Sequence, residues 1–170
     1  MQYPKLLTLT TYENIQLPSG AFVQIPKTEP IYELWTGQPP SDRYGKKAVL
    51  NSKGEPAFAE LAILRIFASA GWQGVWVDTY RHKYRTAYFP PNEIKLAAEQ
   101  QKLLSSIYDK AGTKTGCWDV FCWREGGEIL FAESKSQSRD RIRDRQRRWL
   151  EAAIQCGLPI SSFLMVEWRL

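Results

Sequence analysis

The chain is predicted to fold as an α/β protein (α+β, mixed sheet): a central mixed β-sheet flanked by helices, with a β-rich N-terminal extension. Three observations predict this. Residues 57–70 are apolar nearly all round a helical projection, as in a buried helix. Residues 116–157 parse as strand, glycine turn, strand and long basic helix. Residues 1–35 read as β-rich: residues 6–12 are Thr-rich and alternating, and Pro18-Ser19-Gly20 is a turn signal.

Taken in order, residues 6–12 and 21–25 read as strands, and 31–35 as a third. Residues 36–56 carry Gly37, Pro39, Pro40, Gly45 and Gly54 and read as a linker. The expected division is therefore 1–54, extension and linker, and 55–170, the main domain. Pro56 suits the first turn of a helix ending near Ala70, with Gly71 as its stop. Residues 75–80 read as a strand whose Asp78 faces solvent, followed by His82 in a basic surface stretch. Asn92 can cap an inserted helix over 92–111, stopped by Gly112. Ser138 can cap a helix from Arg139 to about Cys156, stopped by Gly157, and residues 158–168 close the fold as a last strand.

The strands at 117–124 and 128–135 are joined through Gly126-Gly127. A two-residue loop would turn Asp119 away from Glu133. A three-residue loop, 125–127, pairs Arg124 with Glu128 and sets Asp119 opposite Glu133 and Cys117 opposite Lys135. The same register pairs Phe121 with Phe131 and Trp123 with Ile129, which favours it independently. Two carboxylates then stand roughly 5 Å apart at their Cβ atoms. Like charges that close need a cation between them. Two carboxylates in an oxygen-rich place suit Mg²⁺ or Mn²⁺. Lys135, on the face of Glu133, can orient or deprotonate an attacking water or neutralise charge on a phosphate.

On the basic helix, Ile142, Gln146, Trp149, Leu150 and Ala153 form one buried stripe. Gln146 is its polar exception, and a buried amide needs partners, which Glu133 or a substrate phosphate would supply. Glu60, beside Ile63 and Leu64 on the early helix, is the remaining candidate acid. Net charge is +5, concentrated in six arginines between 139 and 148. Arg139 and Arg143 lie on the flank of Gln146 and can reach a phosphate; Arg147, Lys114 and Arg81 are the further basic candidates. Asp140, Asp144 and Glu151 can pair with part of the run.

A hydrophobic fraction of 44% with seven Trp argues against disorder. Three cysteines without CxxC spacing and a single His argue against a structural zinc site and for a reducing, cytoplasmic setting. No uninterrupted apolar stretch reaches membrane-spanning length.

Asp119, Glu133-Ser134-Lys135, the acid Glu60 and Gln146 in Gln-x-x-Trp-Leu together resemble the PD-(D/E)xK nuclease superfamily, in its VRR-NUC and Holliday-junction-resolvase-like branch. The resemblance covers residues 55–168 and departs at Trp118, where the pattern has proline. It implies a restriction-endonuclease-like core and a Mg²⁺-dependent deoxyribonuclease. It also implies Asp119, Glu133, the Ser134 main-chain carbonyl and Glu60 as metal ligands, and Lys135 as the water-side cation. The expected partner is nucleic acid, DNA before RNA, and a homodimer is compatible with so small a chain. Open alternatives are a binding module that does not cut, an RNA-cleaving relative and a partner-binding scaffold.

Overall fold

The computed structural model describes residues 2–41, 47–87, 93–137 and 141–170. Within them lie nine strands and three α-helices: β1 Thr11–Gln16, β2 Phe22–Thr28, β3 Leu50–Ser52, β4 Glu55–Ala57, α1 Ala59–Ser69, β5 Gln73–Asp78, β6 Lys83–Arg85, α2 Ala98–Ala111, β7 Val120–Arg124, β8 Glu128–Ser136, α3 Asp144–Gln155 and β9 Phe163–Trp168. Seven strands form one mixed sheet in the order β1-β2-β9-β8-β7-β5-β6, and β3 pairs with β4 alone. None of the described helices is long and apolar enough to cross a membrane.

The β7–β8 hairpin has the register of a three-residue loop. Arg124 pairs with Glu128, Trp123 with Ile129 and Phe121 with Phe131. The Gly127 N–H donates to the Arg124 carbonyl at 3.3 Å. Both glycines of the turn hold positive φ, 91° and 78°, where a side chain would be strained. The paired Phe rings stack at 4.5 Å.

Alternation along β7 and β8 splits the core in two. Phe121, Phe131 and Phe163 pack with Trp149 and Leu150 of α3 and with Leu104 and Ile107 of α2. Val120, Cys122, Leu130 and Leu164 pack instead against Leu61, Ile63, Leu64 and Phe67 of α1. Cys117 and Cys122 fall into different layers and stay unpaired.

Several boundaries differ from the sequence reading. Pro56 is not helical: the Lys53-Gly54 turn, with φ of 55° and 83°, folds β4 back on β3, and α1 starts only at Ala59. Residues 31–35 form no strand; Ile31 and Leu34 make isolated bridges to Arg169 and Leu50. The N-terminal hairpin is part of the main sheet, since β2 runs parallel to β9 through Lys27–Met165 and Thr28–Val166. Helix α2 starts at Ala98, with Ala97 as N-cap, whereas Asn92 lies outside the described residues.

Helix α3 starts at Asp144 rather than Arg139. The Arg143 main-chain N–H donates to the Gln146 side-chain oxygen at 3.0 Å, which makes Arg143 the N-cap. Ser138, Arg139 and Asp140 lie outside the described residues. The glycine stops are as expected: Gly71, Gly112 and Gly157 each follow a helix with φ of 83°, 62° and 96°.

Candidate active site

β7 begins at Val120, not Cys117, so Cys117 has no ladder partner opposite Lys135. The last pair is Val120–Ala132; continued one step, this register would set Asp119 opposite Glu133, but no ladder pair forms there. The ladder stops there for a local reason. The Ser134 N–H, which would serve a main-chain carbonyl, donates to Asp119 Oδ2 at 2.9 Å. Asp119 is held from its other side as well, its carbonyl accepting from the Val77 N–H at 2.7 Å. The preceding Trp118 is fully buried and meets Phe163 edge-on at 5.4 Å. A large aromatic thus anchors the approach to Asp119.

Glu133 is 1% exposed. Its Oε1 accepts from Lys135 Nζ at 2.6 Å and from the Gln146 amide nitrogen. Its Oε2 is buried with no hydrogen-bond partner among the described residues. Gln146 Oε1 accepts from Lys135 Nζ at 3.4 Å as well as from the Arg143 N–H. One buried amide therefore caps α3 and braces the glutamate, with the lysine at the edge of its reach.

Gly116 makes this approach possible. A Cβ there would lie 2.2 Å from the Arg145 carbonyl oxygen, and its φ is 96°. The segment leading to Asp119 thereby passes directly against the first turn of α3.

Asp119, Glu133, Lys135, Gln146 and Glu60 line one cleft of about 890 Å³. Glu60, in the first turn of α1, forms an ion pair with Lys47. Desolvation pushes the Asp119 carboxyl well above its ordinary range, and the charges of Glu133 and Glu60 add to this, while Lys47 and the Ser134 N–H oppose it. Glu133 is also raised, first by burial and then by Glu60, against the pull of Lys135 and Gln146. Burial lowers the Lys47 pKa, but Glu60 first, then Asp119 and Asp78, outweigh it and leave it raised.

The basic candidates divide. Arg143 and Arg81 line the cleft; Arg147 and the exposed Lys114 do not. Arg139 lies outside the described residues. Arg145, next to Gln146 in the first turn of α3, also lines the cleft.

Two further residues escaped the sequence reading. Asp78, expected in solvent, is 2% exposed and accepts from Arg85 Nε at 3.1 Å. Its position at the end of an apolar strand, like that of Glu133, was the available signal. Lys47 carried none, coming from a glycine- and proline-rich loop.

Among the described residues, no three His, Cys, Asp or Glu side chains form a preformed metal cage. The donors nevertheless suit a hard divalent cation: they are oxygens, two carboxyls are raised by burial and by neighbouring carboxylates, and Glu133 Oε2 has no partner among the described residues.

No family model, characterised protein or solved structure matches the chain.

Proposed function

We propose that this chain is a metal-dependent nuclease that hydrolyses phosphodiester bonds of DNA, with Mg²⁺ or Mn²⁺ held by Asp119 and Glu133. The observation that carries this is the buried Glu133 Oε2, without a hydrogen-bond partner among the described residues, on a side chain that lines a cleft shared with a second raised carboxyl and with Arg81, Arg143 and Arg145. Under this reading the sheet and helices over 55–168 correspond to a restriction-endonuclease-like core, and the Ser134 carbonyl and Glu60 complete the ligand set.

A bound dication would neutralise the facing carboxylates, acidify a water and offset charge on the phosphate. The chain's own residues do the rest. Lys135 Nζ, ion-paired with Glu133 at 2.6 Å, orients the attacking water and offsets charge developing on the phosphate. Gln146 ties Glu133, and through it the paired Lys135, to α3. Arg143 and Arg145 bind the phosphates that flank the scissile bond, as guanidinium groups do. The test is cleavage of labelled single-stranded, duplex, flapped and branched DNA, and of RNA, with and without Mg²⁺ or Mn²⁺. Asp119→Ala and Lys135→Ala should each abolish metal-stimulated product. Undiminished cleavage in both variants would sink the proposal.

A second reading is a nucleic-acid-binding module that does not cut. It is favoured by the lysines that already face Glu133 and Glu60 and by the lack of a three-acid cage among the described residues. It predicts salt-sensitive binding with no metal-dependent product.

A further inference from the structure

The hairpin between β5 and β6 forms one wall of the cleft and carries its most exposed aromatic. β5 and β6 pair through Asp78–Lys83, leaving residues 79–82 as a four-residue turn. Tyr80, expected from sequence to end a strand, sits in this turn with 85% of its surface exposed, yet it lines the cleft.

The turn is tied down by its own hydrogen bonds. The Asp78 carboxylate is anchored in the protein by Arg85, and its other oxygen accepts from the Arg81 N–H at 3.1 Å. The Thr79 N–H closes onto the Val77 carbonyl at 3.0 Å. His82 adopts φ of 54°, a left-handed conformation that this fixed turn imposes. A tyrosine loses little entropy when it engages a partner, and its ring is a sequence-tolerant platform for a nucleobase. Arg81 beside it, with Arg143 and Arg145 in the lining of the same cleft, supplies the cationic track that a backbone would follow. An aromatic platform beside such a track is the pairing that engages unstacked strands. A base inside continuous duplex cannot offer its face to such a ring.

We infer that Tyr80 stacks on an unpaired base next to the bond being cut, so that the preferred substrate is single-stranded or flapped nucleic acid rather than continuous duplex. This rests on the nuclease reading and names the substrate class of the same cleft.

The experiment compares the full-length chain with Tyr80→Ala and Tyr80→Phe. Fluorescence anisotropy, in chelator at low salt, measures binding to single-stranded, flapped and blunt-duplex oligonucleotides. Emission of 2-aminopurine, placed at successive positions of the single-stranded segment, reports stacking directly. Tyr80→Ala should weaken binding to single-stranded and flapped DNA about tenfold, or about 1.4 kcal/mol, and binding to blunt duplex at most about twofold. Tyr80→Phe should retain affinity. The unmodified chain and Tyr80→Phe should quench 2-aminopurine at one position, and Tyr80→Ala should not. Equal losses on every substrate, no loss, or quenching independent of residue 80 would overturn the inference. If the chain cuts DNA but Tyr80→Ala behaves like the parent, only this inference falls. If the parent binds no nucleic acid, both fall.

Discussion

Replacing Gln146 with leucine tests how much of the site rests on one amide. The side chain is 9% exposed, and leucine fits a similar volume on the same buried stripe as Trp149 and Leu150. Three interactions disappear. The Arg143 N–H loses its cap at 3.0 Å, which costs about 1 kcal/mol. Buried Glu133 loses an amide donor, worth about 1.5–3 kcal/mol for a charged acceptor. The contact to Lys135 at 3.4 Å is too long to count for much. Against this, a buried leucine returns about 1 kcal/mol of apolar transfer. The net is a loss of about 2 kcal/mol, or about 4–8 °C in Tm for a chain of this length. Urea unfolding in chelator, with circular dichroism as the probe, gives the value. Cleavage should fall as well, because Glu133 loses the amide that braces it against α3. A change within about 0.5 kcal/mol would place the variant among ordinary surface substitutions and refute the reasoning.

Two other outcomes follow from the same geometry. Asp119 and Glu133 are both raised, and a carboxyl raised on folding binds more protons folded than unfolded between its two pKa values, so stability falls as pH rises through that window. Metal-free protein should therefore lose stability as pH climbs from the ordinary carboxylate range, and Asp119→Asn should flatten the decline; a profile that rises with pH over that window and is unaltered in the variant would contradict this. Gly116→Ala forces a Cβ against the Arg145 carbonyl at 2.2 Å and into φ of 96°, so it should destabilise by about 2 kcal/mol or more in the same urea assay, and a neutral result would mean that α3 can back away.

The candidate site was legible where chemistry is local. A three-residue loop, two stacking Phe rings and a period of two specified which residues oppose one another, and Arg124–Glu128, Phe121–Phe131 and Val120–Ala132 have that register. Glycines after α1, α2 and α3 marked their ends because each must take a left-handed φ. Helix starts were less readable. Arg139 to Arg143 have adequate helical propensity, and only the capping of the Arg143 N–H by Gln146 puts the first turn at Asp144.

The remainder depended on partners distant in the chain. Asp78 looked like a solvated strand end because Arg85, which sits over it at 3.1 Å, lies across a turn that periodicity does not describe. Lys47 came to Glu60 from a segment with no pattern of its own. The N-terminal hairpin looked like an appendage because strand alternation reports which face is buried and not which edge is joined; its parallel pairing with β9 involves residues some 140 positions away.

Sequence alone therefore determined the alternating faces of the β7–β8 hairpin, the buried polar exceptions Glu133, Lys135 and Gln146, and the helix stops. These follow from side-chain period, backbone sterics and the cost of an unpaired buried group. Tertiary structure alone decided that Lys47 faces Glu60, that Arg145 rather than Arg147 lines the cleft, and that Tyr80 stands exposed at its wall. Those placements are set by which elements pack together, and no run of neighbouring residues encodes that.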